Sequence, residues 1–406
     1  MKLLLINSVC KITSTGRIVS DIYDKAKSAG IECKIAYGEL RCQNDTNGYE
    51  TIKIGNILNN YLHALGTRIT DKHGLYSKKA TQKLLKQISE YEPDIIHIHN
   101  LHGYYINYEM LFNYLKEHEN IRVFWTLHDC WALTGHCAHY TEEGCERFKS
   151  ECHDCPLKKS YPASRLLDNS SENYLRKKKA FLGIKDLTIL VPSEWLYKQV
   201  KESFLKDYSV KVVENGVDLS AFKPLKEDTK EKLGLKNKKI ILGVSNVWVP
   251  NKGLRFFEEL SKLYIEKKQD DLQIVIVGRV DNKDTLNASN ITYIPFTSSR
   301  EELNEIYNAA NVYVSFSSEE TFGLTVVEAM AAGTYPIVME NTACEDIVNS
   351  TLGSVVKRDV TAVYEEIERL LSAGEEKLSK EKIASSASRY SLDKFREETV
   401  NLYFEK

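Results

Sequence analysis

At 406 residues the chain is long enough for two or three domains of ordinary size. Apolar residues make up 42% of it and charged residues 28%, enough to bury real cores beneath a solvated surface. A net charge of −2 excludes the basic bias of a nucleic-acid binder and any wholesale attraction to membranes.

In chain order, the first apolar run, residues 3–6, ends at Asn7 and Ser8. It is too short for the core of a signal peptide, and no run of about 18 apolar residues follows, so the chain reads as cytoplasmic. Apolar runs at 3–6, 33–37, 95–98, 123–127, 188–191 and 210–213 are mostly continuous rather than alternating, the pattern of parallel strands buried on both faces. Helical stretches at 18–29, closed by Gly30, and at 79–88 lie between them. After the polar segment 224–239 the series restarts, with strands at 240–244, 273–277, 293–295, 312–316 and 335–338. The helix at 254–267 brings Leu254, Phe257, Leu260 and Tyr264 onto one face. Two successive β-α series predict an α/β protein of two doubly wound domains, residues 1–223 and 224–388, with the charged segment as the joint. Residues 392–404 form a closing amphipathic helix, and 389–406 are expected to pack back on the first domain. Ligands of open α/β sheets sit at the carboxyl ends of the strands. Two such domains facing each other would leave a cleft for two large substrates.

The most informative segment is Ser317-Ser318-Glu319-Glu320-Thr321-Phe322-Gly323-Leu324-Thr325, which continues to Gly333. It reads as a turn and a helix N-terminus after the strand at 312–316. Backbone N–H groups near Gly323–Thr325 would attract phosphate through unpaired donors and the helix dipole. Gly323 lets a ligand approach the backbone closely. Glu320 precedes the helix and Glu328 lies about one turn inside it. Such carboxylates accept paired hydrogen bonds from vicinal sugar hydroxyls, each worth about 1.5–3 kcal/mol. Thr325-x-x-Glu328 also fits a capping box, in which Glu328 only satisfies a backbone donor.

Glu320-x7-Glu328, within Glu-Thr-Phe-Gly-Leu and Glu-Ala-Met-Ala-Ala-Gly, resembles the signature of retaining glycosyltransferases of family 4, whose GT-B architecture sets two Rossmann-like domains across a cleft. Asn215-Gly216-Val217-Asp218 with Phe222-x-Pro224 resembles the family's domain junction, and Pro192-Ser193-Glu194-Trp195-Leu196 the segment closing its N-terminal sheet. Val277-Gly278-Arg279 and Ala309-Ala310-Asn311-Val312-Tyr313-Val314 resemble its C-terminal strands. The resemblance implies that Glu320 holds donor-sugar hydroxyls and Glu328 the ribose. The N–H groups of Phe322, Gly323, Leu324 and Thr325 would contact sugar and diphosphate, with Asn246 and Arg279 also on the donor side. Lys252, in Asn251-Lys252-Gly253, would neutralise the leaving phosphate; the plain alternative is a solvated lysine at a helix start. Many relatives carry an arginine a few residues earlier, where this chain reads Ser245-Asn246-Val247-Trp248-Val249-Pro250. That cation is missing or supplied elsewhere, with Arg17 and Arg279 as candidates.

By position, Thr13-Ser14-Thr15-Gly16-Arg17 resembles the family's glycine-containing loop near the diphosphate and acceptor. This gives Gly16 a donor role and Thr15 and Arg17 an acceptor role, although a Ser/Thr-rich turn before a helix is also ordinary capping. His128 ends the strand at 123–127, and the resemblance assigns it a catalytic contact with the donor sugar; a histidine satisfied by a local carbonyl is the alternative. His97 and His99 share one sheet face as buried structural residues, while Asn100 and His102 are placed to reach an acceptor. No Asp-x-Asp pair occurs, so the metal anchor of the other main glycosyltransferase fold is missing. Catalysis is expected to need no cofactor, the diphosphate charge being met by lysine, arginine and helix dipole. The family retains anomeric configuration by same-face attack, the leaving phosphate oxygen taking the acceptor proton; a covalent route through a carboxylate stays open. The implied partners are a nucleotide-diphosphate sugar and a saccharide or lipid-diphosphate-linked acceptor.

Five of the nine cysteines fall between Cys130 and Cys155. Cys137-x7-Cys145-x6-Cys152-x2-Cys155 supplies four soft ligands for a closed structural zinc site; an iron–sulfur cluster, two disulfides or free thiols are alternatives. With Thr126-Leu127-His128-Asp129-Cys130-Trp131 and Thr134-Gly135-His136-Cys137, the cluster resembles a bacterial subgroup of family 4 in capsular, exo- or O-antigen polysaccharide synthesis. Lys158-Lys159, Arg165 and Arg176-Lys177-Lys178-Lys179 form basic patches. They are either a solvated face or a contact with the anionic inner face of the cell membrane, at about 1 kcal/mol per cation. Rival readings are a zinc-dependent hydrolase centred on His128, His136, His139 and the cysteines, a non-catalytic sugar-binding protein of the same fold, and a phosphorylase or epimerase.

Overall fold

The computed structural model describes residues 1–38, 46–281, 286–348, 352–372 and 379–405. The chain divides into two compact units, Met1–Glu214 with Arg396–Lys406, and Asn215–Phe395.

The first unit is built on β1 (Lys2–Asn7), β2 (Glu32–Gly38), β3 (Thr51–Ile54), β4 (Ile95–Ile98), β5 (Arg122–Thr126), β6 (Leu187–Val191) and β7 (Ser209–Val212). They form one parallel sheet in the order β3-β2-β1-β4-β5-β6-β7. All four residues of β4 are buried, as expected for a strand covered on both faces. The strand order reverses between β1 and β4, which opens a crevice at their carboxyl ends. Asn7 ties those ends together: its Oδ1 accepts the Asn100 N–H at 3.3 Å and its Nδ2 donates to Val9 O at 2.9 Å. One expectation needs correction. Thr13–Arg17 is not a loop before a helix but the opening turns of the helix Thr13–Ser28, where Ser20 Oγ back-bonds to Gly16 O at 3.0 Å.

The second unit holds β8 (Lys239–Val247), β9 (Leu272–Arg279), β10 (Ile291–Ile294), β11 (Val312–Ser315), β12 (Tyr335–Met339) and β13 (Ser354–Val356). Their order is β10-β9-β8-β11-β12-β13, again all parallel, reversing between β8 and β11. The helix Leu254–Glu266 buries Phe257, Leu260 and Tyr264 against this sheet's core. The division at Glu214–Asn215 lies ahead of the charged segment because Val217 and Phe222 already belong to the second core, where Val217 bridges Ser391. The chain rejoins the first unit at Arg396, inside the helix Leu392–Leu402. There Tyr403 is buried, its hydroxyl 2.6 Å from His97 Nδ1. Among the described residues no helix is long and apolar enough to cross a membrane.

Candidate active site

The second unit gathers its chemistry at the switch between β8 and β11. β11 ends in Phe316, and the chain runs through Ser317–Phe322 into the helix Leu324–Ala331. Gly323 is the N-cap at φ 105°, and no side chain caps the helix. A Cβ at Gly323 would stand 2.6 Å from Cys344 Sγ, so both backbone angle and space demand glycine. The first N–H groups of a helix have no carbonyl partner inside it and point outward. Those of Leu324 and Thr325 open the helix beside two acids. Thr325 is already inside the helix, so it cannot be the N-cap of a capping box; its Oγ1 accepts from Tyr313 OH at 2.8 Å. Glu328 is oriented from below, its Oε2 accepting the hydroxyl of buried Tyr307 at 3.0 Å.

Lys252 comes to Glu320 across a short span. The turn Pro250–Lys252 ends at Gly253, where a Cβ would stand 2.6 Å from Phe316 O. Ser318 N–H donates to Asn251 O at 2.9 Å, pinning the two loops together. In this frame Lys252 Nζ lies 2.6 Å and Ser317 Oγ 2.7 Å from Glu320 Oε1. Asn246 and Arg279 are exposed near the ends of β8 and β9, where the Arg279 carbonyl accepts from Trp248 N–H at 2.9 Å.

In the first unit, the carboxyl ends of β4 and β5 carry a chain of imidazoles. His99 Nδ1 and His128 Nε2 are 3.0 Å apart with rings stacked at 14°. Burial pulls His128 down to about 4, against the opposing pull of Asp129, so at neutral pH it is an uncharged hydrogen-bonding ring. His97, stacked on His99, is held by Tyr403 OH and by Thr126 Oγ1 at 2.7 Å. His102 Nε2 lies 2.6 Å from Asp129 Oδ2 and its Nδ1 3.0 Å from Tyr161 OH. Burial favours a neutral Asp129, yet the charge and hydrogen bond of His102 hold its carboxyl well below the usual range. Asn100 is fixed by its backbone, its carbonyl accepting Tyr105 OH at 2.7 Å. In the helix Thr13–Ser28, Gly16 is buried against Val9, Thr15 is half-buried and Arg17 exposed.

Residues 16–221 match the family model described as Glycosyltransferase Family 4, and residues 226–387 the model described as Glycosyl transferases group 1. The chain belongs to glycosyltransferase family 4. This family 4 chain is 23% identical over 336 residues to the Escherichia coli K12 protein assigned by name to colanic acid biosynthesis as glycosyl transferase WcaC, spanning 77% of this chain and 76% of that one. It is 32% identical over 153 residues to an E. coli UDP-Gal:alpha-D-GlcNAc-diphosphoundecaprenol alpha-1,3-galactosyltransferase, 35% of this chain and 39% of that one. Its fold is similar to sucrose-phosphate synthase of Thermosynechococcus elongatus, with TM-score 0.71 and 17% identity over 99% of this chain and 98% of that one. The two parallel-sheet α/β domains are those of the GT-B fold.

The clustered cysteines of the family 4 chain lie in the first unit. Cys137, Cys145, Cys152 and Cys155 line one small cavity with His136, Tyr140 and Phe148. Among the described residues, no three His, Cys, Asp or Glu side chains are arranged to hold a metal ion. A hydrogen bond from Cys137 brings the Cys155 thiol down to about 7, and Gly135 N–H donates to Cys152 Sγ at 3.2 Å. His136 is bound to Asp71 and His128 to His99, so these two ligands of the hydrolase reading are committed to separate partners. In the basic run at 176–179, Lys178 and Lys179 are exposed, as in a solvated face, but Lys177 and Arg176 need correction. Lys177 is buried, donating to Trp131 O at 2.6 Å and Thr134 O at 2.9 Å, and Arg176 pairs with Glu109 and Glu172. Burial lowers Lys177 to about 7. The sequence reading missed Arg358, which follows β13. It donates to Phe316 O at 2.8 Å and Asn251 O at 3.4 Å, clamping the loops of Glu320 and Lys252. Its only signal was an arginine after a strand too short to recognise.

Proposed function

We propose that the protein moves a hexosyl group from a nucleotide-diphosphate donor to a saccharide or lipid-diphosphate-linked saccharide, with retention and without a catalytic metal, in surface-polysaccharide synthesis at the inner membrane face. The observation that carries this reading is the Gly323 helix start flanked by Glu320 and Glu328, with Lys252 against Glu320. Helix N–H groups and Lys252 are suited to a diphosphate, and the two acids to sugar and ribose hydroxyls. The names of WcaC and of the diphosphoundecaprenol galactosyltransferase support the polysaccharide and lipid-linked setting.

In this reading the acceptor hydroxyl attacks the anomeric carbon on the face from which the diphosphate departs. A carbon–oxygen bond to the acceptor forms and the bond to the phosphate oxygen breaks. The acceptor proton passes to the departing phosphate oxygen. Glu320 binds the sugar, Glu328 the ribose, and the N–H groups of Phe322–Thr325 the sugar and diphosphate, while Lys252 neutralises the leaving charge. Neutral His128 hydrogen-bonds the sugar, with Gly16, Asn246 and Arg279 on the donor side and Thr15, Arg17, Asn100 and His102 toward the acceptor. Cys137, Cys145, Cys152 and Cys155 hold a structural zinc, a reading supported by their facing one cavity; binding would release thiol protons and draw the sulfurs together. Incubation with a panel of nucleotide sugars tests the function. Slow hydrolysis of one of them to a nucleoside diphosphate is expected; hydrolysis of none, with chelator-sensitive hydrolase activity instead, would overturn it.

A further inference from the structure

His99 is fixed in place from several directions. It follows β4 directly, and its backbone is held on both sides: its N–H donates to Ile6 O at 2.8 Å, and its carbonyl accepts Trp125 Nε1–H at 3.2 Å. Its ring is buried, with its centroid 4.3 Å from that of His97 and the two planes 28° from parallel. His97 is itself pinned through both ring nitrogens, by Tyr403 OH at 2.6 Å and Thr126 Oγ1 at 2.7 Å. Among the described residues the His99 ring makes one hydrogen bond. It joins Nδ1 to His128 Nε2 at 3.0 Å, with the two planes 14° from parallel. The other ring nitrogen of His99, Nε2, is buried and has no hydrogen-bond partner among the described residues.

That asymmetry decides where the shared proton sits. Burial pulls His99 well below its ordinary range and His128 down to about 4, so both rings are neutral near pH 7. A neutral imidazole has one N–H and one bare nitrogen. The proton between the rings therefore belongs either to His99 Nδ1 or to His128 Nε2. If it belonged to His128, His99 would carry its own proton on Nε2, as a buried donor with nothing to receive it. Buried N–H groups without an acceptor are rare, and a bare acceptor is tolerated more readily. The proton accordingly stays on His99 Nδ1 and is donated to His128 Nε2. The bond made by one ring nitrogen sets the state of the other, so His128 carries its own proton on Nδ1.

We propose that His99 is a positioning residue that fixes His128 as a hydrogen-bond donor, through Nδ1, to an oxygen of the donor sugar. The proposal rests on the reading that His128 meets that sugar, and adds which way the hydrogen bond runs. A sugar presenting only a donor at that point, such as an ammonium group, would be refused. Full-length protein, labelled at its histidine ring nitrogens with the heavy isotope, is studied by nuclear magnetic resonance near neutral pH without any nucleotide sugar. Signals are assigned by their loss in His128→Gln and His99→Asn. The bridging proton should couple strongly to His99 Nδ1 and weakly, across the hydrogen bond, to His128 Nε2. A bridging proton bonded to His128 Nε2 would overturn the proposal. In protein whose melting curve matches the wild type, His99→Leu, which donates nothing, should lower kcat/KM for the nucleotide sugar that the wild type turns over by about tenfold. His99→Asn, whose Nδ2–H donates in the same direction, should lower it by less than about threefold. Equal losses in the two folded variants, or no loss in His99→Leu, would also overturn it. The resonance result stands whether or not any nucleotide sugar is turned over, so failure of the proposed function is told apart from failure of this proposal.

Discussion

Lys252 Nζ stands 2.6 Å from Glu320 Oε1, which joins the cation proposed to meet a leaving diphosphate to the acid proposed to bind a sugar. The two cannot serve a donor while fully committed to each other. An arriving diphosphate would draw Lys252 away and turn Glu320 toward the hydroxyls, so each residue's contribution depends on the other.

That dependence is measurable. Lys252→Ala and Glu320→Gln should each lower kcat/KM by about 10–150-fold, the worth of a charge-assisted hydrogen bond. The double variant should lose less than the product of the two. Nucleoside diphosphate release at limiting donor measures all three. Strictly multiplicative losses would mean that the pair acts as two unrelated residues.

Gly323→Ala should destabilise the second unit by about 1–3 kcal/mol, since φ is 105° and the new methyl meets Cys344 Sγ. Adding Cys344→Ala should restore part of the loss, because it relieves the contact but not the backbone angle. Urea unfolding of the three proteins decides; full recovery would show that the backbone angle costs nothing.

His128 is held at about 4 by burial. It should therefore add no inflection to the kcat/KM profile between about pH 5.5 and 8. His128→Gln should lower the profile without changing its shape. Loss of a step near neutrality in that variant would show that the imidazole carries a charge after all.

The first unit should be acid-labile. Burial pulls His63 and His97 down to about 3 and His128 to about 4, whereas the unfolded chain titrates near about 6.5. Below that value the unfolded state binds more protons than the folded one, so stability is whole above about pH 6.5 and drains away toward about pH 4. Each such histidine adds a slope of up to about 1.4 kcal/mol per pH unit. His136 has the opposite sign: burial opposes its charge, but the Asp71 hydrogen bond prevails and raises it. Urea midpoints for this unit should fall between neutral and mildly acidic buffer; a rise would mean that His136 dominates.

The cysteine cavity gives an independent prediction. Protein purified without added zinc should carry about one equivalent of it, and chelation should lower the melting temperature. Less than about a tenth of an equivalent of any metal would leave four free thiols.

Both sheets were legible because buried parallel strands read as continuous apolar runs: Leu3 to Ile6 and Val312 to Phe316 are fully buried. β3 and β13 escaped notice because they are short edge strands, β3 with polar residues interleaved and β13 only three residues long. The helix Ile57–Thr70 does carry an apolar stripe at helical spacing, and what the sequence could not show is that this stripe faces outward while Asn60, His63 and Thr67 are buried. Around Gly323 the sequence located the helix start, and a specific backbone angle left glycine as the trace. It could not show that Lys252 reaches Glu320, or that Arg358 clamps both loops, since those contacts join segments far apart in the chain. Lys177 misled for a related reason, since its polar partners are backbone carbonyls with no signature in the sequence.

The most direct test of the central claim is nucleoside diphosphate release by Glu320→Gln/Glu328→Gln, in protein whose melting curve matches the wild type. The two acids gripping the donor predict a loss of at least about a hundredfold. Release at the wild-type rate would contradict the account.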